Sequence, residues 1–137
     1  MTKLRFRVVR LLLALGGTAA LCWACNAPFI PLPPPGQTAS FSSELVADAD
    51  GGAKTVWIAH GAASSVPAFA QVLVFDVNRS AGVIAGAGAD GSYTSPPLDG
   101  TRGDRVEISF ENVQGEISRA TCFQLVEGPS APGCQPP

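Results

Sequence analysis

From Phe41 to Val126 this chain sustains no helical period. Short β-rich runs alternate with Gly, Asp, Asn and Pro at spacings of about 8–12 residues. An amphipathic helix needs apolar residues at i, i+3, i+4 and i+7, and here a turn residue interrupts before such a stripe can form. The candidate strands are Glu44 to Ala47, Thr55 to Ala59, Ala70 to Val77, Gly82 to Ala87, Ser92 to Ser95, Arg105 to Phe110 and Ser118 to Val126.

The clearest is Arg105 to Phe110. Val106, Ile108 and Phe110 fall on one face and Arg105, Glu107 and Ser109 on the other, the period of two that marks a half-buried strand. In Val72-Leu73-Val74-Phe75 both faces are apolar, which predicts a central strand. Seven such strands over residues 41–127 suffice for one core, but a domain this small stays marginal without reinforcement.

The turn chemistry carries a resemblance. Ala70-Gln71-Val72-Leu73-Val74-Phe75-Asp76-Val77-Asn78, then Ala89-Asp90-Gly91-Ser92-Tyr93, Gly103-Asp104-Arg105-Val106 and Asn112 to Ser118 resemble bacterial immunoglobulin-like and carboxypeptidase-regulatory-like β-sandwich repeats. The resemblance spans Val66 to Val126. It implies a single all-β, immunoglobulin-like Greek-key β-sandwich of about seven strands over 41–127, and it says little about function.

The N-terminal segment sets an address. Lys3, Arg5, Arg7 and Arg10 precede an apolar run from Leu11 to Leu21, followed by small residues: the layout of a secretory signal. A spanning helix wants about 20 apolar residues, and Arg10, Asn26 and Pro28 bracket too short a run. Ala24-Cys25 resembles the end of a bacterial lipoprotein signal, in which a small residue precedes the cysteine that is acylated and becomes the mature N-terminus. Cys22 stands where that pattern usually has Leu and is itself a rival attachment point, but it would place bulky Leu21 at the small-residue position. Cys25 is therefore the expected lipidation site, which makes 1–24 a signal peptide. The resemblance further implies that Asn26, not being Asp, favours the outer membrane, with the chain facing the periplasm or the cell surface.

Pro28-Phe29-Ile30-Pro31-Leu32-Pro33-Pro34-Pro35-Gly36 favours polyproline II and cannot donate a hydrogen-bond ladder. Residues 25–40 are read as the lipidated N-terminus and a semi-rigid tether. With the four basic residues of the leader removed, five basic residues remain against eleven acidic ones, a balance of −6. That argues against a nucleic-acid partner, which needs clustered Lys or Arg. It also leaves attachment to an anionic membrane to the lipid.

Cys122 and Cys134 are the two cysteines left after the anchor, an even count for an oxidising compartment, and are expected to pair. A bridge across so short a loop is worth about 3 kcal/mol by chain entropy. Free thiols or a metal pair are the alternatives, and with His60 the only histidine zinc is disfavoured. Over 128–137 Gly128, Pro129, Pro132, Gly133, Pro136 and Pro137 leave almost no capacity for a ladder, so the bridge is expected to clamp this tail to the sandwich edge.

Several motifs reduce to turn chemistry. Gly86-Ala87-Gly88-Ala89-Asp90-Gly91 fits a dinucleotide fingerprint, but Ser92 to Pro97 cannot form the helix it must open. Asp48-Ala49-Asp50-Gly51 lacks the further ligands of a calcium loop and reads as a turn, although Asp48 and Asp50 are the first place to look for a cation. Arg102-Gly103-Asp104 and Asn78-Arg79-Ser80 are likewise turns. His60 is followed by Ser64 and Ser65 but stands in no nucleophile or metal motif. The reading is therefore a non-catalytic, lipid-anchored envelope module without cofactor or metal, acting as a structural or protein-interaction domain. Its partners are the membrane and another envelope protein. The alternative is a stalk-mounted binder of carbohydrate or protein, for which Trp57 and Tyr93 are the candidate ligand platform.

Overall fold

The computed structural model describes residues 32–36 and 38–134. The leader, Cys22, Cys25 and the last residues of the tail lie outside the described residues. All regular structure described is β: β1 (Ala39–Ala47), β2 (Ala53–Gly61), β3 (Gln71–Asp76), β4 (Ala81–Gly86), β5 (Tyr93–Thr94), β6 (Leu98–Asp99), β7 (Arg105–Glu111), β8 (Thr121–Gln124) and β9 (Gly128–Ser130). They form two antiparallel sheets over one core, a β-sandwich layout. One sheet runs β5-β2-β1-β9, with β6 also on β2, and the other runs β4-β3-β7-β8.

Local chemistry explains the boundaries. The β1–β2 hairpin closes at Asp48, whose carbonyl accepts the Gly51 N–H (3.0 Å) and whose carboxylate accepts the Ala49 N–H (2.8 Å), with Gly51 at φ 80°. β5 and β6 pair with opposite ends of β2, at His60–Gly61 and Val56–Trp57. Pro96 and Pro97 fall between them and supply no N–H, so the strand expected over Ser92 to Ser95 ends as β5 and β6 follows as a separate, unexpected piece.

The alternation read in β7 holds: Val106, Ile108 and Phe110 are buried, and Arg105, Glu107 and Ser109 are half-buried. β3 is central, between β4 and β7, but only Val72, Val74 and Asp76 face the core. Phe41 on β1 meets Phe123 on β8 edge-to-face across the sheets, ring centres 6.2 Å apart. Around them Ile108, Leu125, Val72, Val74 and Val106 are fully buried. Each such side chain is worth about 1.5–3 kcal/mol of burial.

The sandwich reaches beyond 41–127 at both ends. Leu32 bridges Ser118 in parallel sense and packs on the core, Pro35 is buried, and the Gly36 N–H donates to the Ser65 carbonyl (2.8 Å). The last part of the expected tether is thus docked, because Leu32 and Pro35 have apolar surface to bury. At the other end, β9 adds to β1 in the register Ala39↔Ser130 to Phe41↔Gly128, a ladder the Gly/Pro composition had argued against. Pro129 fits because β9 is an edge strand.

Cys122 and Cys134 form a disulfide, Cα atoms 5.6 Å apart. Beside it the Gly133 N–H donates to the Cys122 carbonyl (2.9 Å) and the Ser130 hydroxyl to the Gln124 carbonyl (3.2 Å). The tail is clamped as expected, and it closes β8 and β1 together.

Candidate functional site

The aromatic platform is not present. Trp57 and Tyr93 are only 4% and 6% exposed. Trp57 points into the core from β2, and its indole N–H donates to the Gly100 carbonyl (3.2 Å). Residue 100 must be glycine there, since a Cβ would approach Leu125 Cδ1 to 2.6 Å. Tyr93 lies flat over its cross-strand partner Gly61, where a Cβ would fall inside the ring. Burial pushes its phenol pKa up to about 12. Sequence alternation alone does not say which face is covered, so it leaves both side chains open as platform candidates.

His60 alternates with buried Ala59 and Gly61 and so stands on the sheet face away from the core. Its Nε2 lies 2.9 Å from Ser42 Oγ and its Nδ1 3.4 Å from Thr94 Oγ1. Ser64 and Ser65, its neighbours in sequence, sit in the following loop, where Ser64 donates its N–H to the Asp90 carbonyl (2.8 Å). A hydroxyl on each ring nitrogen holds the imidazole across β1, β2 and β5, and no carboxylate orients it as a base.

At one end of the sandwich, an open polar cleft of about 570 Å³ is lined by Asp48, Lys54, Trp57, Arg79, Asp99 and Thr101, among others. Its charges are spent on one another except at Asp48 and Arg102, which are in no ion pair among the described residues. Lys54 pairs with Asp99 (2.9 Å), and that hydrogen bond holds its ammonium pKa above the ordinary value. Arg79 reaches Asp104 (3.2 Å) and donates to the Thr101 hydroxyl (2.6 Å), while Asp104 accepts the Thr101 N–H (2.7 Å).

Beneath this network Asp76 is fully buried. Its Oδ1 accepts the N–H groups of Asn78 (2.8 Å) and Arg79 (3.1 Å), fixing the β3–β4 turn. Its Oδ2 has no hydrogen-bond partner and lies 3.9 Å from Arg79 Nε. Burial foremost, with Asp104 nearby, raises its pKa against the pull of those two amides. Nothing in the residue pattern signals this burial, because an Asp at a strand end reads as a turn residue. Among the described residues no group of three or more His, Cys, Asp or Glu is placed to hold a metal, and Asp48 serves the hairpin turn.

The opposite end is apolar. Phe69, Val113 and Ile117 are 66%, 68% and 63% exposed. Phe69 and Val113 line one shallow cleft with Gln71 and Glu111; Ile117 lines the next with the same two residues, Leu73 and Ile84. Each tip is held in place. Asn112 Oδ1 accepts the N–H groups of Gln114 and Glu116 (both 3.0 Å) and the Asn112 carbonyl accepts that of Gly115 (3.0 Å), a closed turn that projects Val113. Phe69 sits at φ 60°, a costly conformation for a bulky residue, with its N–H on the Gly88 carbonyl (3.2 Å). Ile117 is tied by a bridge to Glu111, next to Leu32–Ser118. A valine inside the turn Asn112-Val113-Gln114-Gly115 was the legible hint, since turn tips are ordinarily polar.

Against known protein families, characterised proteins and solved structures, the chain has no match.

Proposed function

We propose that this chain is a lipid-anchored module of the bacterial cell envelope, non-catalytic, held in the outer membrane through acylated Cys25 and facing the periplasm or the cell surface. Its domain serves a structural or protein-interaction role, with another envelope protein as partner. The observation that carries the reading is the Cys122–Cys134 bridge, which clamps the tail across both sheets. A fold that relies on such a staple suits the oxidising compartment to which the Lys3-to-Cys25 leader would send it. The strand order supports an immunoglobulin-like Greek key: with β1, β2, β3, β7 and β8 as A, B, C, F and G, one sheet carries A, B and the interrupted E. The other carries C, F and G with β4 added at its edge. Burial of Trp57 and Tyr93 removes the support for a carbohydrate platform.

The test is metabolic palmitate labelling of wild type and Cys25→Ser, followed by membrane fractionation. Wild type should label and sediment with outer membrane, and Cys25→Ser should do neither while keeping its melting temperature. Label that persists in Cys25→Ser moves the site to Cys22, and an unlabelled wild type overturns the anchor.

A further inference from the structure

We propose that the sandwich rests end-on against the lipid surface, with Phe69, Val113 and Ile117 entering its interfacial layer. This rests on the acylation of Cys25 put forward above. Leu32, where the chain is already docked beside Ser118, lies only seven positions beyond Cys25. Fully extended, seven residues span no more than about 25 Å. The end that carries Leu32 also carries the loops at 62–70 and 112–117, because β1 and β3 both begin there and β2 and β7 both end there. β1 runs nine residues, about 30 Å at the usual strand rise. The Asp48–Gly52 hairpin at the other end of β1 is therefore beyond that reach, and the end that carries Leu32 is the one nearest the anchor.

The chemistry of that end selects a hydrocarbon boundary over an anionic headgroup. Its exposed charges are three acids, Glu111, Glu116 and Asp90, against one base, Arg119, and the mature chain as a whole is acidic. Such a surface gains nothing electrostatically from anionic lipid. Its three large side chains are exposed singly on pinned supports, so inserting them needs no refolding and adds an apolar contact to the one the lipid makes. Phe69 provides the sharpest indication: an aromatic ring is kept in solvent at a strained φ, a cost the fold itself does not recover.

The experiment uses the full acylated chain in phosphatidylcholine vesicles, with one environment-sensitive fluorophore on Phe69→Cys, Val113→Cys or, at the far hairpin, Ala49→Cys. Labels at 69 and 113 should shift to the blue, be quenched by lipids carrying a chain-borne quencher, and be several-fold less accessible to aqueous iodide than the label at 49. Adding phosphatidylglycerol should not strengthen the effect. Equal iodide access at all positions overturns the proposal, as does shielding at 69 and 113 without lipid quenching, which would assign the end to a second copy or another protein. Insertion confined to phosphatidylglycerol vesicles overturns its apolar basis. Mass analysis of Cys25 in the same samples separates the two readings. Acylated protein with aqueous tips removes the lipid contact and leaves the anchor, whereas protein without an acyl chain removes both.

Discussion

Replacing Cys134 by Ser opens the bridge to Cys122 and is expected to lower stability by about 3 kcal/mol, the loop-closure entropy for a sequence separation of 12. For a domain near 100 residues each kcal/mol moves the melting temperature by about 4–8 °C, so a drop of about 15 °C is expected. The structural consequence should be local first. β9 makes only three register pairs with β1, and its far side is held through the hydrogen bonds of Ser130 and Gly133 to the β8 strand and its end. Without the staple, those few bonds must order the tail alone. Thermal melts of wild type and mutant, with and without reductant, give the magnitude; hydrogen exchange at Gly128, Ser130 and the facing Ala39–Phe41 amides gives the location. The mutant's melt should not respond to reductant. A loss below about 1 kcal/mol, with β9 amides still protected, would show that the ladder holds the tail and refute the entropic argument.

Ile108→Ala should cost about 2–4 kcal/mol in denaturant melts, because the side chain is fully buried between the sheets, whereas Glu107→Ala should stay within about 0.5 kcal/mol. Equal sensitivity would reverse the assigned faces. Gly61→Ala forces the Tyr93 ring off its cross-strand seat and should cost about 1–3 kcal/mol; a neutral result would mean the ring packs elsewhere. Asp76 is an acid whose pKa rises on folding from 3.8, so the stability it lends is full below that value and is lost as pH climbs through the raised one. Asp76→Asn should therefore gain on wild type as pH rises from acid to neutral, and a constant gap across that range would contradict the raised pKa.

Period-two alternation was enough to place the strands and their inner faces where one face is dry, as in β7. It was not enough at Trp57 and Tyr93, since aromatic residues on short strands look the same from either side, and only the packing of Gly61 and Gly100 against them shows that they face inward. β9 was missed for a related reason. Gly128 and Pro129 are poor strand formers, but an edge strand beside β1 needs few donors, and the bridge at Cys134 brings it there. The apolar end escaped because Phe69 and Val113 occupy loops, where periodicity carries no information.

What the chain does with its sheet edges bears on what remains for recognition. An open edge recruits other strands, and this sandwich limits most of the edges it has. On one side, the same tail adds β9 to β1 and lays Gly133 along the Cys122 carbonyl of β8. On the other side, Pro96 and Pro97 cut the β5–β6 edge in two, and β4 is six residues long with Gly82 and Gly86 within it. Strand addition is thus a poor route to a partner except at β4, which carries neither charge nor proline. Elsewhere contact comes through side chains: the charges around Lys54–Asp99 and Arg79–Asp104 are paired at the far end, where Leu45 is also exposed, and Phe69, Val113 and Ile117 are exposed together at the end where the N-terminal segment docks. A charge already neutralised by its neighbour gains little from a partner, while each exposed Phe, Val or Ile gains in proportion to the area it removes from water. That gain favours Phe69, Val113 and Ile117, exposed together at one end, as the tips of the proposed lipid contact, with Leu73 and Ile84 exposed on the outer face beside them.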